Sequence, residues 1–73
     1  MKENTMTFNV SPEVKAQLLT ERIQALNLEG YQNELNLKSA KALGNQEAID
    51  QAEANIKVIQ AAIKVHTAEV DSI

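Results

Sequence analysis

Cysteine is absent from this chain, so no disulfide can staple it and no thiolate cluster can hold a metal. Tryptophan is absent too, Phe8 and Tyr31 are the only aromatics, and Arg22 is the only arginine. The seven bases, Lys2, Lys15, Arg22, Lys38, Lys41, Lys57 and Lys64, are scattered along a chain of net charge −3. Nucleic-acid binding rests on clustered Lys and Arg that neutralise phosphates, with aromatics to stack on single strands, so no nucleic-acid partner is expected. No apolar run approaches the roughly 20 residues of a membrane-spanning helix, and the start lacks the basic-then-apolar pattern of a secretory signal. The expectation is a soluble protein without a membrane partner, either cytoplasmic or within a virus-like particle assembled there. Breakers are scarce: Pro12 is the only proline, and Gly30 and Gly44 are the only glycines.

What the chain does have is helical patterning. Ser11-Pro12-Glu13 reads as a helix start. The serine hydroxyl can accept from a free first-turn N–H, proline loses nothing at the first helical position, and an acid there suits the dipole. From Pro12 to about Leu43 the composition stays helical. Gly44 can take the left-handed conformation that closes a helix, and Asn45 can cap the next, which runs from Gln46 to about Asp71. A connection of about two residues makes the two helices double back. The expected fold is all-α: an antiparallel two-helix hairpin over residues 11–73, with arms of roughly 48 and 39 Å. Residues 1–10 form a short extended arm or strand. There Thr5-Met6-Thr7-Phe8-Asn9-Val10 alternates, placing Met6, Phe8 and Val10 on one side.

The second helix is apolar on two sides. Ile49, Ala52, Ile56, Ile59, Ile63, His66 and Val70, continued by Ile73, follow at steps of three and four and make the stripe expected to close the hairpin. Ala54, Val58, Ala61, Val65 and Ala68 keep the same spacing on nearly the opposite side. The first helix repeats the arrangement. One row holds Leu19, Ile23, Leu26, Gly30, Asn33, Leu37 and Ala40; another holds Val14, Leu18, Ala25, Leu28, Tyr31, Leu35, Ala42 and Leu43. One row of each helix can meet the other helix, and one is left over. The partner-binding residues are therefore expected on the leftover rows and the arm: Ala54, Val58, Ala61, Val65 and Ala68; Val14, Leu18, Leu28, Tyr31 and Leu35; and Met6, Phe8 and Val10.

Size makes the surplus consequential. A single core in a chain of 73 residues returns only about 3–5 kcal/mol net. At about 25 cal/mol per Å² of apolar area, covering about 800 Å² more with a partner is worth a gross 20 kcal/mol or so, before the costs of association. Completion by oligomerisation or docking, with a homo-oligomer as the expected state, follows from that comparison.

Candidates for chemistry are few. His66 is the only imidazole, the side chain that ordinarily titrates near neutrality, and it lies in the closing stripe. It fits a partly wet position at the end of a coil, a pH-sensitive contact, or a metal ligand that would need symmetry copies meeting on an axis. Two-helix ferritin-like hairpins also oligomerise to complete a bundle and build di-iron sites from Glu-x-x-His, a resemblance that the motif order here rules out. Here the order is reversed, His66-Thr67-Ala68-Glu69, with Ile63 where the acid should stand. Glu29, Glu34, Glu47, Asp50, Glu53 and Glu69 fall where a solvated helix face puts them, and Glu34–Lys38 and Glu53–Lys57 have the favourable i, i+4 order. Asn33 lies in the apolar row, where a lone Asn can fix register, although Asn27 and Asn36 make the surrounding stretch polar. Gly30 costs about 1 kcal/mol against Ala in mid-helix, and it reads either as neutral drift or a local kink, or as a close crossing with another helix beside Tyr31.

No catalytic, cofactor-binding or metal-binding residue is assigned, and no enzyme is expected. The reading is a structural or interaction protein: a small helical-hairpin subunit that self-associates or docks on a larger assembly, such as an accessory, scaffold or cement subunit of a bacterial or phage particle. Two alternatives stand beside it. Residues 5–26, an alternating strand followed by Ser-Pro-Glu and a helix, resemble the opening of ribbon-helix-helix repressors. That resemblance implies dimerisation through the strand and base contacts from Thr5, Thr7 and Asn9. The other is a small inhibitor or adaptor that blocks a host protein with one apolar face.

Overall fold

A computed structural model describes residues 8–73, which form two helices, α1 (Pro12–Leu43) and α2 (Gln46–Asp71), packed as a hairpin. Both ends of each helix fall at the expected residues because the caps are local chemistry. Ser11 is extended, and its Oγ accepts from the Val14 N–H at 3.3 Å, with Pro12 in the first turn and Glu13 beside it. At the turn Gly44 has φ 67° and ψ 27°, the left-handed geometry an L side chain resists. Its N–H donates to Lys41 O at 3.1 Å, and the Asn45 N–H reaches Ala40 O at 3.0 Å, satisfying two carbonyls at the helix end. Asn45 then starts α2, its Oδ1 accepting from the Ala48 N–H at 3.2 Å. The far end closes when the Ser72 N–H and Oγ both donate to Glu69 O, at 3.2 and 2.8 Å.

Of the N-terminal arm, residues 1–7 lie outside the described residues, and with them Met6 and most of the alternating segment. Phe8, Asn9 and Val10 belong to neither a helix nor a strand, and Phe8 is 79% exposed. The hairpin is a rod of 51 × 21 × 17 Å with a radius of gyration of 16.4 Å, against about 11 Å for a compact domain of this length.

The core is a single line between the helices. On α1 only Ala16, Leu19, Ile23, Leu26, Gly30, Asn33, Leu37 and Ala40 are covered to any degree. Apart from Ala16 this is the first row set out above. On α2 the covered residues are Ile49, Ala52, Ile56, Ile59, Ile63, His66 and Val70, together with Ala48, Asn55 and Ala62. Ile73, the last member of the stripe by spacing, is 51% exposed, because it lies past the end of α2. Among the described residues only Ala40, Ala52 and Ile59 are buried apolar residues, so the two helices cover one stripe of each other. Ala40 and Ala52, both 4% exposed, are small enough to bring the helices close next to the turn.

Candidate interaction faces

The outward side chains are large and apolar. On α1, Val14 and Leu18 are each 53% exposed, Leu28 69%, Tyr31 60% and Leu35 43%; on α2, Val58 is 69% and Val65 62% exposed. Ala25, Ala54, Ala61 and Ala68 are exposed between them. The exposed rows lie outside the covered stripes, and each reaches back to one side of the seam: Tyr31 borders the groove over Gly30, Ile56 and Ile63, and Val58 lies beside Asn33 and Asn55. Apolar surface scattered singly is ordinary, but the α2 row is an unbroken strip at steps of three and four, of the kind that marks an interface, and the α1 row is a similar strip interrupted by Glu21 and Gln32.

Between the helices runs a polar chain that the sequence pattern did not reveal. Asn33, 9% exposed, donates from Nδ2 to Glu29 O at 2.9 Å, and its Oδ1 accepts from Asn55 Nδ2 at 3.1 Å. Asn55 Oδ1 in turn accepts from Gln51 Nε2 at 3.1 Å. Asn33 is therefore not part of a merely polar stretch. Asn27 and Asn36 are exposed, whereas Asn33 is bonded across the seam to one position on α2. The cross-seam bond favours one axial alignment, because a slip of the helices leaves the buried Asn33 Oδ1 without its donor while the bonds to Glu29 and Gln51 remain. Periodicity alone could not find Asn55, which stands one step outside the apolar stripe.

His66 is also tied across the seam. Arg22 Nε lies 3.0 Å from His66 Nε2, and Nδ1 lies 2.6 Å from Ala62 O. Guanidinium can only donate, so Nε2 accepts and the ring proton sits on Nδ1, directed at the carbonyl. Both ring nitrogens are thus occupied within the hairpin, which leaves no lone pair for a metal. Among the described residues no group of three or more His, Asp or Glu could hold a metal ion. The carboxylates Glu29, Glu34, Glu47, Asp50, Glu53 and Glu69 are all exposed.

Gly30 faces α2. A Cβ built there would lie 3.5 Å from Ile59 Cγ2, an ordinary van der Waals distance, so the helices do not approach too closely for a side chain. The glycine instead leaves an open groove of about 220 Å³ bordered by Tyr31, Ile56, Ile59 and Ile63. Asn27, Glu34 and Gln60 complete its rim, and it is an open surface groove with no enclosed cavity. No helix among the described residues is long and apolar enough to cross a membrane. No protein-family model, curated protein or solved structure matches the chain, so the meaning of these faces is argued from their chemistry.

Proposed function

We propose that this chain is a non-enzymatic structural or interaction protein, a helical-hairpin subunit whose outer edges are covered by other protein, through self-association or by docking on a larger assembly. The observation that carries the reading is the exposure of Leu28, Tyr31, Val58 and Val65, each 60% or more, in two regular rows on a rod with three buried apolar residues. Half of the apolar patterning is spent inside the hairpin and half is presented outside it. Such a protein works by geometry: it spaces, bridges or cements, and its specificity comes from the order of side chains along each edge. An accessory, scaffold or cement subunit of a particle is the kind of role this shape suits, by analogy of form.

Native mass measurement across a wide concentration range, followed by capture of binding partners from the native source, tests it. Assembly above one chain, or a stoichiometric partner whose binding is lost with Leu28→Asp or Val58→Asp, supports the reading. A monomer that unfolds cooperatively, captures nothing and tolerates both substitutions unchanged overturns it.

A further inference from the structure

The outer row of α1 has a symmetry that the outer row of α2 lacks. Between Leu18 and Leu35, at steps of three and four, Leu18, Glu21, Ala25, Leu28, Gln32 and Leu35 run apolar, polar, apolar, apolar, polar, apolar, the same in both directions; the next pair outward, Val14 and Ser39, departs from the symmetry. We infer that this edge binds a second copy of the chain, α1 against α1 and antiparallel, about a two-fold axis that crosses midway between Ala25 and Leu28. The inference rests on the association reading above and commits it to one edge and one occupant.

In that arrangement Leu18 of one copy meets Leu35 of the second, Ala25 meets Leu28, and Glu21 meets Gln32, whose amide can donate to the carboxylate. Apolar residues face apolar ones and polar residues face polar ones along about 27 Å of helix. The flanks agree: Arg22 meets Glu29 of the second copy, Gln17 meets Lys38, and Gln24 meets Tyr31. Arg22 commits only its Nε to His66, so its terminal nitrogens are free for that pair.

The other pairings of α1 with itself place like charges together. A shift of one seven-residue repeat puts Glu29 against its own copy in one direction and Arg22 against its own copy in the other. A parallel pairing sets Glu21 against its own copy within the strip. The outer row of α2 meets like charges when it pairs antiparallel with itself, whereas its parallel register sets Lys64 beside Glu69 of the second copy and is the arrangement that the Ala61→Cys cross-link below tests against. Its centred antiparallel register opposes Asp50 to Asp71 and Lys57 to Lys64, and the shifted registers oppose Lys57 or Lys64 to its own copy. Laying α1 on α2 of a second copy avoids like charges, joining Lys38 to Asp50, but sets Glu21 against Val65 and Leu35 against Gln51. Like-charge juxtaposition is what selects among otherwise similar helix pairings, and two-fold dimers are the commonest closed assembly. The product is a layer of four helices, ordered α2, α1, α1, α2, with the Ala54–Ala68 row at each rim.

The absence of cysteine makes the test direct. Ala25→Cys, next to the axis, and Ala61→Cys, on the outer edge of α2, are each treated with a short bis-maleimide under conditions where circular dichroism shows full helicity. The dimer requires Ala25→Cys to cross-link to itself and Ala61→Cys not to. In the same conditions Glu29→Lys should lower the native mass to that of one chain, and adding Arg22→Glu should restore the dimer. Cross-linking of Ala61→Cys to itself, cross-linking between Ala25→Cys and Ala61→Cys chains, or indifference to Glu29→Lys overturns this arrangement while leaving association standing. A wild-type chain that stays single at every concentration also overturns it, and the capture experiment above then decides whether the broader reading survives.

Discussion

Replacing Gly30 with alanine should make the hairpin more stable, and the size of the gain can be worked from its surroundings. Glycine in a helix interior costs about 1 kcal/mol relative to alanine, because it surrenders more backbone freedom on folding. A Cβ at this position meets Ile59 Cγ2 at 3.5 Å, so no repulsion offsets the gain, and the methyl group enters the groove beside Tyr31. In a domain of this length about 1 kcal/mol raises the melting temperature by roughly 4–8 °C. Against a net stability of about 3–5 kcal/mol for so small a core, that is a large fraction. Gly44 is the internal control: with φ 67° it adopts a conformation that costs an L residue about 1–2 kcal/mol, so Gly44→Ala should lower the melting temperature. Thermal unfolding followed by circular dichroism at one matched chain concentration reads both, since association would otherwise shift the midpoints. A lower melting temperature for Gly30→Ala would refute the reasoning and show that the helices need a closer approach at Ile59.

Three further outcomes are expected. Ile56→Asp with Ile63→Asp puts two carboxylates into the seam, which costs more than the hairpin's whole net stability, and the helical circular dichroism signal should collapse; Val58→Asp with Val65→Asp changes only exposed positions and should preserve it. Asn33→Ala removes the acceptor for Asn55 Nδ2 and should cost about 1–3 kcal/mol in urea unfolding. Asn33→Leu with Asn55→Leu should recover most of that, so additive losses in the double variant would mean the amide pair is not coupled. Nitrogen-correlated NMR of His66, taken well above neutral pH, should place the ring proton on Nδ1, and a proton on Nε2 would show that the Arg22 bond is not made.

The helix ends were legible because each is written within five residues. Ser11-Pro12-Glu13 and Gly44-Asn45 make their hydrogen bonds to near neighbours, so sequence distance and spatial distance coincide. The closing stripes were legible because a repeat of three and four fixes which residues share a face. Cross-helix chemistry was not. That Asn33 meets Asn55, or that Arg22 meets His66, depends on the axial register set by the turn, and no periodicity contains it. The covered arc of α2 also proved wider than its stripe, taking in Ala48, Asn55 and Ala62, because small residues on that flank let α1 lean over them. Of the two readings of Gly30, the close backbone approach fails, since the structure leaves room for a methyl group. The leftover apolar rows of the two helices are exposed, as their spacing implied.

The claim on which the rest depends is that those outer rows are interfaces, with α1 taking a second copy. Native mass measured on the full chain from dilute to concentrated solution tests it most directly. The account predicts a rise from 8.0 kDa to twice that value, abolished by Leu28→Asp. A constant 8.0 kDa across the range, with Leu18, Leu28 and Leu35 left in water, would contradict it.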